Sequence, residues 1–433
     1  MPHCGITKSV KARSLLFATT ALNMSSERAA VEGVASNAAP SPWRIVFVLA
    51  AVIGVAPLSI DMYLPSLPAL ERTFGVGAAS VQLTLAAFFA GLAVGPLVYG
   101  PASDRFGRKR PLYAGLTLYV LASLGCAFAP GIGSLIAMRF LQAVGGCAGM
   151  VIARAVVRDL FAPQDSARVF SLLMLVMGVA PILAPLAGGW ILVALGWRMI
   201  FAALVLFGLA TLVAAVLGLP ETRAPRKRAS GNPPWSDYLH LVQDSRFLGY
   251  ALSGGVAQAA MFAYIAGSPF VFIELYGVPA SAYGWLFGLN ALGLIAASQV
   301  NRRLLDAWSA DFILSRANVV TAVMGLTLFV VAALQVSRLT MLLLPLFVVA
   351  ASLGFTQPNA LAGAMARHGE RAGSAAALYG TIQFGAATLA ATMVGVLHDG
   401  TARPMAGVMA ACSAVALIAH RLLVHRPAIA QSR

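Results

Sequence analysis

Runs of about twenty consecutive apolar residues, the length an α-helix needs to cross the hydrocarbon of a bilayer, recur from Trp43 nearly to the C-terminus. Segments such as MIFAALVLFGLATLVAAVLGL, Met199 to Leu219, are apolar on every face. A transmembrane barrel would alternate over segments of about ten residues instead. The chain therefore reads as an all-α polytopic membrane protein. With 59% hydrophobic and only 10% charged residues it cannot cover a soluble surface with polar groups, so the lipid bilayer must serve as its solvent.

Twelve spans are expected, at 43–66, 80–101, 111–130, 134–157, 168–192, 197–219, 246–273, 281–301, 312–336, 339–361, 372–397 and 404–424. The formal charge of +15 would suit nucleic acid only if it formed a soluble basic face; it is scattered among short loops, which excludes nucleic acid as a partner. Topology accounts for it better. With both termini on one side, that side collects the N-terminal tail, Arg105, Arg108, Lys109, Arg110, Arg158, Arg168, Arg223, Arg226, Lys227, Arg228, Arg246, Arg302, Arg303, Arg316, Arg367, Arg371 and the C-terminal arginines. The other side holds only Arg72, Arg198, Arg338 and Arg403. Basic loops resist translocation, so the crowded side, with both termini, is expected to be cytoplasmic.

The longest connection, Glu221 to Asp244, contains RAPRKRASGNPPW and has no apolar face to bury. It divides the chain into an expected N-terminal six-helix bundle at 43–219, a cytoplasmic linker at 220–245, a C-terminal six-helix bundle at 246–424 and a cytoplasmic tail at 425–433. Carriers built from such repeats hold their cargo near the bilayer midplane, between the repeats. Residues 1–42 are Ser/Ala-rich without a spanning run; they read as a disordered cytoplasmic tail or, if translation starts at Met24, as a mis-assigned leader. Their SLLFATTAL is too short for a convincing signal-peptide core.

The four cysteines, Cys4, Cys126, Cys147 and Cys412, show no CxxC or Cys/His spacing, so no metal site is expected. Cys147 reads as a packing residue, with alkylation from a cavity the alternative. No GxxxxGK[ST] phosphate loop, HExxH zinc motif or GxSxG elbow is present, which argues against the commonest enzymes and against ATP as an energy source. A receptor or scaffold would bring a substantial soluble domain, and none is legible.

Three motifs carry mechanism. In GPASDRFGRKRP, Gly100 to Pro111, Gly107 permits a tight turn, Pro111 suits the first turn of the next helix, and Asp104 can accept hydrogen bonds from a neighbouring helix N-terminus. The segment resembles the signature between the second and third spans of the major facilitator superfamily, with Ser103 replacing the usual small apolar residue. The resemblance implies a gating latch made of Gly100, Asp104, Arg105, Gly107, Arg108 and Lys109; a loop that merely sets topology is the alternative.

In the fourth span, RFLQAVGGCAGMVIARAVVRDL resembles the superfamily's Arg-containing proton-coupling motif at Arg139, Gln142 and Gly146. An arginine inside a span costs on the order of 2.5–3.5 kcal/mol on insertion scales, so Arg139 should face protein or water and have a partner. Arg154 lies about four turns further on, near the expected cytoplasmic end, where snorkelling is the expected explanation and a functional role the alternative. GVAPILAPLAGGW, Gly178 to Trp190, resembles the Gly/Pro motif of proton-exchanging exporters. Its Pro181 and Pro185 remove backbone donors and bend the helix, while Gly178, Gly188 and Gly189 are small enough for another helix to approach.

The segment PLSIDMYLPSLP, Pro57 to Pro68, narrows the resemblance to the Bcr/CflA group of bacterial drug:proton antiporters. IARAVVRD, SPFVFIELYG and YGWLFGLNALGL extend it from about Trp43 to the end of the chain. It implies the major facilitator fold, twelve transmembrane helices in two six-helix bundles, in the bacterial inner membrane. It further implies a functional monomer, no cofactor beyond a proton gradient, and export of small-molecule drugs in exchange for protons. Export of a single metabolite, such as a sugar or amino acid, is the alternative. Asp61 is the one acidic residue placed firmly within a span, at a depth comparable to Arg139. The two are the expected coupling pair, since cargo could then compete with protonation; an ion pair that only fixes helix rotation is the alternative. Expected cavity residues are Tyr63, Gln142, Gln258, Asn290, Gln357 and Tyr379, with Gln82, Tyr264, Asn359 and Gln383 as further candidates.

Overall fold

A computed structural model describes residues 42–161, 163–222, 234–335, 338–368 and 372–424. The leader up to residue 41, the linker core at 223–233 and the tail from 425 lie outside the described residues. Residues 46–433 pack as one unit; residues 1–45 form the other, whose described part is the opening turn of the first helix.

The described elements are helical. They are α1 (Pro42–Asp61), a 3₁₀ turn (Leu64–Ser66), α2 (Leu67–Phe74), α3 (Ala78–Phe106), α4 (Lys109–Ala127), α5 (Ile132–Leu160), α6 (Pro163–Leu195) and α7 (Trp197–Gly218). After the linker come α8 (Pro234–Gln243), α9 (Ser245–Pro269) with a π-helical extension (Phe270–Leu275), α10 (Ala280–Leu304), α11 (Ala310–Ala333), α12 (Leu339–Met365), α13 (Ala372–Val396) and α14 (Arg403–Ala419), itself extended by a π turn (His420–Val424). Eleven described stretches are long and apolar enough to cross a membrane. The twelfth span is α4, whose opening Lys109, Arg110 and Pro111 dilute its apolar run, although it packs against both α5 and α7.

Local chemistry sets the ends. Asp244 caps α9 by accepting from the N–H groups of Arg246 (2.9 Å) and Phe247 (3.3 Å), and Ser309 caps α11 through Phe312 N–H (3.3 Å). The first span, expected as one run over 43–66, breaks at Asp61, because Pro65 and Pro68 supply no N–H to continue the ladder; the chain re-enters helix as α2. This break leaves Asp61 as the last residue of α1.

The first bundle is held by α3 on α5, α4 on α5 and α4 on α7; the second is built around α9, which packs on α12, α13 and α14. The two largest contacts that join the bundles are α3 with α13 and α6 with α10, and the 3₁₀ turn adds smaller ones to α9 and α10. Leu121, Trp190, Val193 and Leu206 are exposed, as side chains facing lipid should be.

Candidate functional site

Between the two bundles lies a cavity of about 2490 Å³. Its walls run from Asp61 at the end of α1 to the ends of the helices on the linker side, where Arg105, Arg158, Tyr238, Arg302 and Gly373 line its mouth. The opposite end is sealed. There α6 touches its neighbours through the Gly/Pro motif: a Cβ on Gly188 would strike the Met62 carbonyl at the end of α1, and one on Gly189 would strike the Ala280 carbonyl at the start of α10. Only glycine allows backbones this close. Leu186 and Ile182 continue the seam against Gly284 and Gly288 of α10, while Gly178 faces Ile295 and Pro185 is buried. Pro181 lines the cavity itself.

Asp61 is 4% exposed and lines this cavity. It makes no ion pair among the described residues, and it is close enough to the Tyr264 and Tyr283 hydroxyls across the bundle interface to act on them electrostatically. These tyrosines are held from behind, Tyr264 by Asn290 Nδ2 (3.0 Å) and Tyr283 by Ser268 Oγ (2.7 Å).

Arg139 is not joined to Asp61. It is fully buried, donating through Nη1 to the Ser59 carbonyl (3.0 Å) and to Gln142 Oε1 (2.7 Å). Its guanidinium carbon lies 4.4 Å from the Tyr63 ring centroid and 4.2 Å from that of Phe88, while Nε and Nη2 have no hydrogen-bond partner. Aromatic faces and a backbone carbonyl thus stand where a carboxylate partner was expected. The arginine grips α1 two residues before Asp61 without touching it.

Three of the six expected cavity residues line the cavity: Gln258, Gln357 and Tyr379. Gln357 donates to the Gly254 carbonyl (2.7 Å) and accepts from Tyr379 (3.3 Å). The other three are not among the residues that line it. Tyr63 is buried in the first bundle, bonded to Thr84 (2.7 Å) and stacked on Arg139; Gln142 spans Arg139 and Ser123; Asn290 is spent on Tyr264 and the Leu286 carbonyl. Each is a polar group satisfied between helices, which is the usual fate of such residues in a bundle. Of the further candidates, Gln383 lines the cavity.

On the linker side the GPASDRFGRKRP segment forms an ionic knot. Gly107 takes φ of 84°, which lets α3 turn into α4. Arg108, 4% exposed in its side chain, donates to Asp104 Oδ1 (2.9 Å), Ser103 Oγ (2.9 Å) and Asp159 Oδ2 (2.8 Å). Glu221, just beyond α7, accepts from the backbone N–H groups of Arg108 (2.8 Å) and Lys109 (3.2 Å). Burial alone would push the Arg108 guanidinium down, but Asp159 and Asp104 outweigh it and hold it above its ordinary value. Gly100 lines the cavity, and Arg105 and Lys109 stack on Phe106 and Tyr113. Asp159 and Glu221 escaped the motif reading; the available signal was an acid at each of two further helix ends on the basic side.

Two helical bundles around a central cavity, sealed at one end and open at the other, define a membrane carrier. The Major Facilitator Superfamily description matches residues 49–391, and the chain belongs to that family. It is 36% identical over 369 residues, 84% of this chain and 91% of the relative, to YdgK, an uncharacterised MFS-type transporter of Bacillus subtilis (strain 168). It is 30% identical over 392 residues, 90% of this chain and 98% of the relative, to a bicyclomycin resistance protein homolog of Haemophilus influenzae. A crystal structure of the peptide transporter POT aligns with a TM-score of 0.71 at 14% identity, covering 90% of this chain and 94% of that one; at this identity the likeness is one of fold. The protein is a multi-pass membrane transporter and not an enzyme.

Proposed function

We propose that this chain exports small-molecule drugs across the bacterial inner membrane in exchange for protons, acting as a monomer with the linker and both termini in the cytoplasm. The observation that carries the reading is Asp61: a carboxylate without an ion-pair partner, deep in a cavity between two bundles and just beneath its seal. A charged carboxylate in such a place is costly, so its protonation state is tied to which side the cavity opens and to whether cargo fills it. The similarity to a bicyclomycin resistance protein homolog supports drugs as cargo.

Arg139 acts through the backbone in this reading. By holding the Ser59 carbonyl it fixes the end of α1, so protonation of Asp61 and movement of α1 are coupled without a salt bridge. In the same reading Asp104, 60% exposed beside the mouth, accepts from a neighbouring helix N-terminus when the linker side closes, and its ion pair with Arg108, itself held by Asp159 and Glu221, supports that role. The test is a susceptibility panel in a pump-deficient bacterial host. The intact gene should raise resistance to at least one drug, and Asp61→Asn, expressed to the same level, should not. If no drug susceptibility changes with the intact gene, drug export is refuted and export of a single metabolite replaces it. Reporter fusions in the 221–244 linker should report the cytoplasm; a periplasmic signal would reverse the orientation.

A further inference from the structure

Among the described residues five arginines line the cavity, Arg105, Arg108, Arg154, Arg158 and Arg302, against two carboxylates, Asp61 and Asp104. Arg108 already engages Asp104 and Asp159. Of the two cavity-lining arginines on α5, Arg154 lies deeper than Arg158, six residues before the helix end at Leu160, and none of the described ion pairs or hydrogen bonds includes it.

Snorkelling does not account for it. Side chains on a helix lean toward its N-terminus, and the N-terminus of α5 lies at the sealed end, so the stem of Arg154 starts out pointing into the cavity and away from the mouth. In agreement, Cys147, two turns deeper on the same face of α5, lines the same cavity as Arg154. An arginine drawn out to the interface would run the other way. From the second bundle, Gln258 of α9 and Gln383 of α13 line the same cavity, and their amides engage no described residue. Phe262 and Phe384 form an apolar wall, their ring centroids 5.7 Å apart.

We propose that the cargo carries an acidic group: an aromatic or apolar body packs against Phe262 and Phe384, and a single negative charge docks on Arg154 with help from the two glutamines. A guanidinium donates in a planar fork that suits a carboxylate or sulfonate and offers nothing to a cation. The cationic mouth then concentrates such cargo and repels amines. The proposal rests on the reading that this cavity is the export path.

The probes are naphthalene-2-carboxylate, its uncharged carboxamide and 2-naphthylmethylammonium, with binding measured calorimetrically on the purified full chain. The carboxylate should bind at least tenfold tighter than the amide, as one charge-assisted contact warrants, and the ammonium weakest. Arg154→Gln should reduce the preference for carboxylate over amide to below threefold, and Arg154→Lys should keep most of it. Equal binding of carboxylate and amide to the wild type, a preference unchanged in Arg154→Gln, tighter binding of the ammonium, or no binding of any probe would each overturn the proposal. Proton movement driven by the same probes in proteoliposomes separates the two readings. Asp61-dependent exchange of the amide without a carboxylate preference would sink the charge assignment and leave efflux standing. An Arg154-dependent preference with no proton movement would do the reverse.

Discussion

Proton stoichiometry is where the structure makes its sharpest demand. Of the two carboxylates that line the cavity among the described residues, Asp104 is tied to Arg108 at the mouth, so in the exchange proposed above Asp61 carries the proton. One proton per cycle fixes the largest gradient the carrier can build. With the membrane potential clamped at zero, each pH unit is worth about 1.36 kcal/mol, so a neutral cargo should accumulate on the acidic side by about tenfold per pH unit. A potential of about 100 mV adds about 2.3 kcal/mol, a further factor of about fifty. The assay is static-head accumulation in proteoliposomes, with the logarithm of the cargo ratio plotted against the pH difference. Wild type should give a slope of one, whichever way the molecules are inserted, because exchange is reversible. Asp61→Asn should give a slope of zero while still equilibrating cargo. A slope of two, or a slope of one retained in Asp61→Asn, would refute the assignment of coupling to this single carboxylate.

Three further outcomes are expected. Arg139→Met should fold with little change in thermal stability, since the loss of two hydrogen bonds and of the aromatic stacking is offset by removing a buried charge, yet proton exchange should fall at least tenfold; loss of expression would make the arginine structural. Gly188→Val should force α6 off the Met62 carbonyl and open the seal, so that M62C reacts with a membrane-impermeant maleimide from the outside in the variant and not in the parent background. Asp159→Asn, which takes one of two carboxylates from a buried Arg108, should cost about 2 kcal/mol of stability, whereas Asp104→Asn, at a mostly exposed carboxylate, should leave stability nearly unchanged and slow exchange severalfold. Unchanged kinetics in Asp104→Asn would reduce the motif to a topogenic loop.

Much of the architecture was legible along the chain. A run of about twenty apolar residues has no stable alternative to a spanning helix, Gly107 in a basic loop between two apolar spans demands a turn, and a lone Asp61 inside a span demands a protein-lined or watery surrounding. Facing was not legible. Lipid and bundle core are both apolar, so the spans carry no polar stripe to show which side meets a neighbour, and only packing revealed that Gln258 and Gln383 open on the cavity while Tyr63, Gln142 and Asn290 are consumed between helices. Depth along the sequence brought Asp61 and Arg139 level, but the rotation of α1 and α5 turned one toward the cavity and the other into a box of aromatic rings. The direction of Arg154 was likewise set by the tertiary structure. Its distance from the helix end suits snorkelling and cavity lining equally, and the cavity in front of α5 exists only because two bundles, far apart in sequence, stand against each other.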